Sequence, residues 1–267
     1  MPYISNKDIS WHYHRRPKPF SELACQARNY IRWRFSLTGA LSRRKIAQWH
    51  GQYSGRNAVI CCNGPSLRKV PFESLKSTFC FGLNKIFLLF EEVAWRPDVI
   101  VAVNGLVIEQ SRQQFDKLDI PLFLSAFGKR HFGNRKNIHY LYSLPQPVFS
   151  LDPSVGVWEG YTVTVVALQL AHFFGFQNVA LVGCDHSFAE KGSASKLVCN
   201  QGNDQNHFHA NYFAGLPWQL PDIEGSEFAY RMCREAFASE GRSVFNCTDG
   251  GCLEVFERKS LSDFLKF

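Results

Sequence analysis

The sequence predicts an α/β fold: a Rossmann-like, mostly parallel sheet with helices on both faces, preceded by a basic helical N-terminal segment. From residue 57 onward, short apolar runs rich in Val and Ile alternate with longer segments. Such uninterrupted runs are typical of parallel strands that are buried on both faces. Basic residues are concentrated before the first run. The chain therefore divides into a basic amphipathic leader, 1–56, and a Rossmann-like domain, 57–267.

The leader holds the entire basic excess of the chain. Residues 1–56 contain eleven Lys or Arg residues and two acidic residues. The other 211 residues contain 19 Lys or Arg residues and 21 acidic residues. Residues 20–50 lack Pro and place apolar side chains between arginines, which predicts one or two amphipathic helices with Gly39 as a break. Trp and Phe beside Arg suit an anionic membrane surface.

Two other interpretations of the leader remain open. It can be a solvated basic helix pair packed on the main domain. Binding of nucleic acid is a weaker interpretation, because no known motif accompanies the charge, and we expect no nucleic-acid partner.

Seven runs are predicted as strands and two segments as helices. The strands are 58–62, 78–82, 99–103, 122–125, 138–142, 179–183 and 243–245, and the helices are 162–174 and 226–240. Gly241 ends the second helix as a residue suited to a left-handed cap.

The composition argues against membrane spans and disulfides. The longest apolar segment, 161–181, contains Gln169, His172, Gln177 and Asn178, which are too polar for a bilayer core. The N-terminus lacks the pattern of a secretory signal. Nine cysteines without a C-x-x-C pair are expected to be buried thiols in a reducing compartment. We therefore expect a cytoplasmic protein that can be peripheral at the inner membrane.

Polar side chains follow five predicted strands where each one ends. The stretches are "VICCNG", "CFGLNK", "IVAVNG", "LVGCDH" and "SVFNCT", which place Asn63, Asn84, Asn104, Asp185 and Asn246 at equivalent positions. Ligands of open α/β sheets bind beyond these carboxyl ends, and amides suit sugar hydroxyls, ribose and a nucleobase edge. The alternative is that each residue simply forms a turn.

The first of these stretches continues as Gly64-Pro65-Ser66. Gly64 permits a close backbone approach, and Pro65 suits the first position of a helix. N–H groups at that helix start are candidates for holding a phosphate.

A polar loop at 202–213, "GNDQNHFHANYF", is the second candidate site. It contains Asn206, His207 and His209, and histidine titrates near neutral pH, so the loop is a good place for a general base. A metal site with His186 is an alternative, but no ligand spacing supports it. The other alternative is an ordinary surface loop.

The sequence contains no D-x-D, the acid pair with which many sugar-nucleotide enzymes hold Mg²⁺ on a diphosphate. A donor with a monophosphate leaving group needs less charge neutralisation, so amides and helix N–H groups can suffice.

These motifs resemble those of a known group of proteins. "CCNGPSL", "FGLN", "VAVN", "GYTVTVVALQLAHFFGFQNVALVGCD" and "NDQNHFHANYF" resemble the nucleotide-binding strand ends, helix and loop of the bacterial CMP-sialic-acid-dependent sialyltransferases. "NHFHANYF" and "FNCTDGGCLEVFER" are closer still to the MptE-like (6-hydroxymethylpterin diphosphokinase-like) domain, which also occurs in motility accessory factors that glycosylate flagellin. The resemblance covers about residues 57–260.

The resemblance assigns roles to most of these residues. It implies that Asn63, Gly64 and Ser66 contact the donor phosphate or ribose, and that Asn84 and Asn104 hold the nucleotide and the sugar. Domain 57–267 would thus bind a nucleotide sugar.

Further along the chain, Gly160, Tyr161 and Thr162 would contact the anion and the base at a helix start. His207 resembles the general base of the sialyltransferases, and Asn206 and His209 flank it. Where those enzymes place tyrosines after the position of Asp185, this chain has His186, Ser187 and Phe188. His186 is the candidate substitute, and this departure puts sialic acid in doubt as the donor sugar.

The resulting expectation is an inverting, metal-independent glycosyltransferase with a nucleotide-activated donor, CMP-linked, and no cofactor. Its acceptor would be a lipid-linked or surface glycan, as in lipopolysaccharide or capsule synthesis. One alternative is a pterin-type diphosphokinase that uses ATP and Mg²⁺, for which Asp185, Asp204 and Asp249 are the available acids. The other is a non-catalytic nucleotide-binding module.

Overall fold

A computed structural model describes residues 3–4, 20–189, 192–199 and 202–266 of the chain. Residues 1–2 and 5–19 of the predicted leader lie outside these ranges.

The described residues form short strands and mostly short helices. The strands are β1 Tyr3–Ile4, β2 Asn57–Cys61, β3 Phe79–Leu83, β4 Val99–Ala102, β5 Leu122–Ser125, β6 Ile138–Leu141, β7 Phe149–Ser150, β8 Asn178–Val182, β9 Leu197–Cys199, β10 Pro217–Gln219, β11 Ser243–Asn246 and β12 Glu257–Arg258. The helices are α1 Phe20–Phe35, α2 Leu37–Ala47, α3 Gly105–Gln110, α4 Arg112–Lys117, α5 Lys129–Phe132, α6 Val163–Phe174, α7 Ile223–Ala238 and α8 Leu261–Phe264.

Eight strands form one parallel sheet in the order β12-β11-β8-β2-β3-β4-β5-β6. The α/β Rossmann-like prediction is confirmed, and each of the seven predicted strands lies in this sheet. The strand order reverses between β2 and β8, so the carboxyl ends of these two strands border the crevice where ligands of such folds bind. The eighth strand, β12, has two residues, too few for a periodic pattern to reveal it.

One face of the sheet is covered by α6 and α7. Residues 164–174 of α6 are all buried, because this helix lies between the sheet and α7. Its one central amide, Gln169, is fully buried and satisfied: Oε1 accepts from the N–H groups of Ser150 and Trp158, and Nε2 donates to Trp158 O at 2.7 Å. Gln169 therefore fixes the segment that leads into α6, which borders the site described below.

The opposite face is covered by short elements rather than long helices. Three 3₁₀ helices, Pro65–Lys69, Phe72–Leu75 and Ile86–Glu91, pack there with α3 and α4. The loop predicted as a candidate site also contributes to this layer, through the buried rings of Phe208 and Tyr212.

The described part of the leader folds as two helices packed on the domain. The chain breaks between α1 and α2 at Ser36, whose hydroxyl accepts from Gly39 N–H and caps α2. Gly39 is needed there, because an added Cβ would lie 2.1 Å from Trp33 O. Helix α2 covers the edge strand β6, and Lys45 Nζ donates to the carbonyl of Arg135 at 2.7 Å.

Two further observations concern the whole described part of the chain. Every helix in it is too short or too polar to span a bilayer. All nine cysteines are unpaired thiols, and six of them are buried.

Candidate active site

A cleft opens beyond the carboxyl ends of β2, β3, β4 and β8. It has a larger lobe of about 370 Å³ and a smaller one of about 160 Å³. Asn84, Tyr161, Phe188 and His207 line both lobes, which are therefore parts of one cleft. The larger lobe lies toward β4 and β10, and the smaller lobe lies over the β2–β8 switch point.

The structure brings most of the predicted site residues to this cleft. The residues that line it are Asn63, Gly64, Asn84, Asn104, Tyr161, Thr162, Asp185, His186, Asn206 and His207. Gly160, Pro65, Ser66 and His209 are not among the lining residues. Asn246 is buried elsewhere, where Nδ2 donates to Leu253 O at 2.7 Å and Oδ1 accepts from Thr248 N–H.

Asp185 occupies the helix start that was predicted to hold a phosphate. Its carboxylate accepts from the backbone N–H of Ser66 at 3.2 Å and from Ser66 Oγ at 2.8 Å. Gly64 lets the two segments approach, because an added Cβ would lie 2.0 Å from Asp185 Oδ2. Ser66 thus binds a carboxylate of the protein and joins the loops after β2 and β8.

Two amide oxygens in the cleft are buried without a partner. Asn63 Oδ1 and Asn84 Oδ1 have no hydrogen-bond donor within the described part of the protein. An unsatisfied buried acceptor is costly, and in a cleft it is available to a hydroxyl or amino group of a ligand. Asn104 differs, since Oδ1 caps α3 by accepting from Leu106 N–H at 2.9 Å and Nδ2 donates to Gln219 Oε1.

The cleft also concentrates unusual backbone geometry. Within the described ranges, four residues other than glycine have positive φ: Asn84 at 47°, Tyr161 at 67°, His186 at 52° and Ser195 at 62°. All four line the cleft. Such conformations persist where the surrounding structure enforces them, and they cluster at functional sites.

His207 is paired with a buried carboxylate. Its Nδ1 lies 2.8 Å from Asp204 Oδ2, and the side chain of Asp204 is fully buried. Burial acts to raise the pKa of Asp204, but the hydrogen bonds from His207 and from backbone N–H groups outweigh it and hold that pKa below its ordinary value. Asp204 is therefore an anion that fixes the tautomer of His207 and leaves Nε2 as the nitrogen available to a ligand.

Aromatic rings hold His207 in place. Its ring stacks on Tyr212 at 4.1 Å with an interplanar angle of 5°, and Phe213 and Trp218 pack edge-on. The loop itself is anchored to the segment that follows β2, because Phe208 N–H donates to Asn63 O at 2.9 Å. It is a packed part of the core and not an ordinary surface loop.

Helix α6 begins at the cleft. Thr162 is its N-cap, and the hydroxyl accepts from Thr164 N–H. Gly160 and Tyr161, both with positive φ, turn the chain into this helix. The N-terminus of a long helix favours negative charge, and this one faces both lobes through Thr162 and Val163.

The remaining predicted residues lie next to other groups of the protein. His186 lies with Nε2 3.5 Å from Glu227 Oε1, and burial lowers its pKa although Glu227 opposes the shift. Asn206 Oδ1 accepts from Ala189 N–H at 2.7 Å and so joins the two loops beside the smaller lobe. His209 Nε2 faces Glu92 at 3.8 Å, outside the cleft.

The sequence interpretation missed several residues of the larger lobe. Glu159, Trp218 and Asp222 all line it. Burial raises the pKa of Glu159, and the hydrogen bond that it accepts from Ser143 partly offsets this. None of them follows a strand of the sheet or belongs to a recognisable motif, so no signal in the sequence pointed to them.

Charge is distributed unevenly in the cleft. Of the described residues that line it, none is Lys or Arg, whereas Glu159, Asp185 and Asp222 are acidic. Within the same described ranges, no group of three or more His, Cys, Asp or Glu side chains is placed to hold a metal ion.

Comparisons with known proteins point to one family. Residues 37–191 match the family model described as MptE-like, 6-hydroxymethylpterin diphosphokinase MptE-like. No curated protein matches the chain. A solved structure, the MAf glycosyltransferase from Magnetospirillum magneticum AMB-1, is similar with a TM-score of 0.49 and 17% identity over 84% of this chain. The chain spans only 39% of that protein. Since the family model covers more than half of the residues, the chain belongs to the MptE-like family.

Proposed function

We propose that this protein is an inverting glycosyltransferase that moves a sugar from a nucleotide-activated donor to a hydroxyl group, with no metal held by its side chains. The observation that carries the proposal is the Asp204–His207 pair, 2.8 Å apart, at a cleft bordered by unpartnered amide oxygens. This combination supplies a general base next to groups that recognise hydroxyls.

In the proposed reaction, His207 Nε2 takes the proton of the acceptor hydroxyl. The acceptor oxygen forms a bond to the anomeric carbon of the donor as the bond from that carbon to the leaving phosphate oxygen breaks. Attack from the face opposite the phosphate inverts the configuration. The proton remains on His207, where the Asp204 carboxylate stabilises the imidazolium.

The leaving phosphate is assigned to the start of α6. Thr162 and Val163 present the positive end of a twelve-residue helix to both lobes. The other helix start, at Ser66, was predicted from the sequence to hold a phosphate, but Asp185 already occupies it. A monophosphate leaving group, as in a CMP-linked sugar, carries less negative charge than a diphosphate and so needs less neutralisation in a lining that has no Lys or Arg among its described residues.

Donor and acceptor are proposed by class only. The donor would be a CMP-linked sugar. The acceptor would be a lipid-linked or surface glycan, as in lipopolysaccharide or capsule synthesis, and the protein would act in the cytoplasm at the inner membrane.

Pyrophosphoryl transfer from ATP with Mg²⁺ is the second candidate, because the family description names a 6-hydroxymethylpterin diphosphokinase. That reaction needs acidic ligands for the magnesium ion. Asp185 lines the cleft, but both of its oxygens accept hydrogen bonds from Ser66. Asp204 is paired with His207, and Asp249 forms an ion pair with Lys69 at 2.8 Å. The three acids named from the sequence are therefore engaged. Of the other acids that line the cleft, Glu159 accepts from the Ser143 hydroxyl and Asp222 Oδ1 accepts from Gly225 N–H.

Thermal shift measurements separate the candidates. A ligand that binds only the folded state raises the melting temperature. We expect CMP to raise it in the absence of a divalent cation, and ATP with Mg²⁺ to have little effect. The reverse preference would favour the diphosphokinase. Stabilisation by CMP without turnover of any CMP-linked sugar would favour a non-catalytic binding module.

Substitution of His207 tests the chemistry. His207→Ala should reduce transfer by about 10²–10⁴-fold while CMP affinity stays within a few-fold of the parent. His131→Ala, on the surface helix α5, is the matched control. Transfer by His207→Ala at the parent rate would rule out His207 as the base.

A further inference from the structure

An exposed apolar patch lies at the corner between α1 and α2. Of the large apolar side chains described as exposed, four belong to these two helices: Ile31 at 56%, Phe35 at 83%, Leu37 at 71% and Leu41 at 38%. Such side chains scattered singly are ordinary on a protein surface. Four within eleven consecutive residues of a small helical corner form a patch, which we call the corner patch.

The spacing places these side chains together. Ile31 and Phe35 are four residues apart on α1, and Leu37 and Leu41 are four residues apart on α2, so each pair lies on one helix face. Ser36 caps α2 between them. The chain therefore presents Phe35 and Leu37 on either side of the turn, at the apex of the patch.

The inner side of the corner is packed against the domain. Trp33 is 9% exposed and stacks on Tyr142 at 6.0 Å, and Thr38 Oγ1 donates to Asn134 Oδ1 at 3.1 Å. Ile46 is buried in the main core. The inner faces of both helices are thus satisfied by the domain, and the apolar side chains of the corner patch point away from it.

Positive charge surrounds the patch. The chain contains no Asp or Glu between Glu22 and Glu73. Arg32, Arg34 and Arg44 are exposed, and within the described residues none of them lies in an ion pair. Arg43 Nη2 donates to Arg34 O at 2.7 Å and fixes the end of α1 against α2. Exposed apolar side chains next to the exposed arginines Arg32, Arg34 and Arg44 match the interface of an anionic bilayer in both polarity and charge.

We propose that the corner patch docks the protein on an anionic lipid bilayer, with Phe35 and Leu37 inserted at the headgroup boundary and Arg32, Arg34 and Arg44 over the lipid phosphates. A second copy of the chain fits the corner patch less well, because an isologous contact would bring the arginines of both copies together without acidic partners. This inference does not depend on the chemistry proposed for the cleft.

Vesicle sedimentation with the full chain tests the proposal. Vesicles of phosphatidylcholine alone are compared with vesicles that contain about 30% phosphatidylglycerol, at low and at high salt. We expect binding to the anionic vesicles that weakens at high salt, and little binding to the neutral vesicles. Phe35→Ser with Leu37→Ser should lower the partition coefficient at least about tenfold, because both side chains leave water on binding. Arg32→Gln should lower it about fivefold.

Leu197→Ser is the matched control, because Leu197 is 58% exposed and belongs to β9, not to α1 or α2. It should bind vesicles like the parent. The melting temperature of each variant verifies folding, and none should change much, since the substituted side chains are exposed.

Three outcomes would overturn the proposal. One is that the parent protein remains in the supernatant when it is mixed with anionic vesicles. The Phe35/Leu37 variant can bind as well as the parent, which would assign binding to charge alone. Sedimentation velocity without lipid can show a dimer that this variant abolishes, which would make the patch an interface between two copies.

Discussion

Asp204 and His207 form a carboxylate–imidazole pair in which Oδ2 lies 2.8 Å from Nδ1. The same carboxylate accepts from the backbone N–H groups of Asn206 at 2.8 Å and His207 at 3.2 Å. The buried Asp204 carboxylate therefore stabilises the conformation of the loop and also orients the His207 ring. The tautomer of His207 and the shape of its loop depend on the same side chain.

Asp204→Asn tests Asp204 as a positioning residue. The amide keeps the size of the side chain but removes the charge that stabilises protonated His207, so kcat for transfer should fall at least about tenfold while KM for the donor changes little. A variant with unchanged kcat would limit Asp204 to shaping the loop.

Asn63→Ala tests whether the unpartnered amide oxygen serves a ligand. The variant should bind CMP more weakly by about 1–3 kcal/mol, measured by titration calorimetry. The ligand-free protein should not lose stability, because the substitution removes a buried acceptor that has no partner. Asn29→Ala, on the outer surface of α1, is the control. A loss of stability with unchanged CMP affinity would assign Asn63 a purely structural role.

Gly64→Ala tests the junction between the loops after β2 and β8. The new methyl group would meet Asp185 Oδ2 at 2.0 Å and Gly183 O at 2.8 Å, so one of these segments must move. We expect a loss of about 1–3 kcal/mol in the free energy of unfolding, measured in urea. Gly202→Ala is the control, because an added Cβ there meets nothing within 4 Å. Equal stability of the two variants would contradict the tight packing at Gly64.

Glu159→Gln gives a pH-dependent change in stability. Burial raises the pKa of Glu159 above its usual 4.5 in the folded state. The folded protein thus binds the proton more tightly than the unfolded chain, and stability from this group is present below pH 4.5 and lost as pH rises through the folded pKa.

The glutamine variant should therefore melt on the order of a few degrees above the parent at neutral pH. This advantage should disappear near pH 4. Scanning calorimetry across this range provides the measurement. A constant difference at all pH values would show that Glu159 does not titrate differently in the folded and unfolded states.

Part of the site could be predicted from local pattern. Asn63, Asn84 and Asn104 each follow an apolar run, and parallel strands place their carboxyl ends on one edge of the sheet, so these amides meet at a common cleft. The same reasoning failed for Asn246, whose side chain is used inside its own loop. A strand end predicts the edge on which a residue lies, but not the direction in which its side chain points.

The pairing of distant residues could not be predicted. Asp185 and Ser66 are 119 positions apart, and their contact follows from the pairing of β2 with β8, which places Cys61 opposite Val182. A sequence shows that Gly-Pro-Ser begins a helix, but not that a carboxylate of the protein occupies the N–H groups there. Glu159 was missed for the same reason, because it reaches the cleft only through the segment that Gln169 holds against α6.

By itself, the sequence determined the elements, the parallel sheet and the edge at which polar side chains collect. Those features depend on local periodicity, since a strand buried on both faces requires a continuous apolar run. The tertiary structure decided which polar groups form hydrogen bonds within the protein and which remain available to a ligand. Asp185 and Ser66 satisfy each other, whereas Asn63 Oδ1 and Asn84 Oδ1 have no partner within the described part of the protein, and His207, which Asp204 orients, lines the cleft. Hydrogen bonds between residues far apart in the chain exist only after the sheet has assembled, so only the folded molecule distinguishes a structural amide from one available to a substrate.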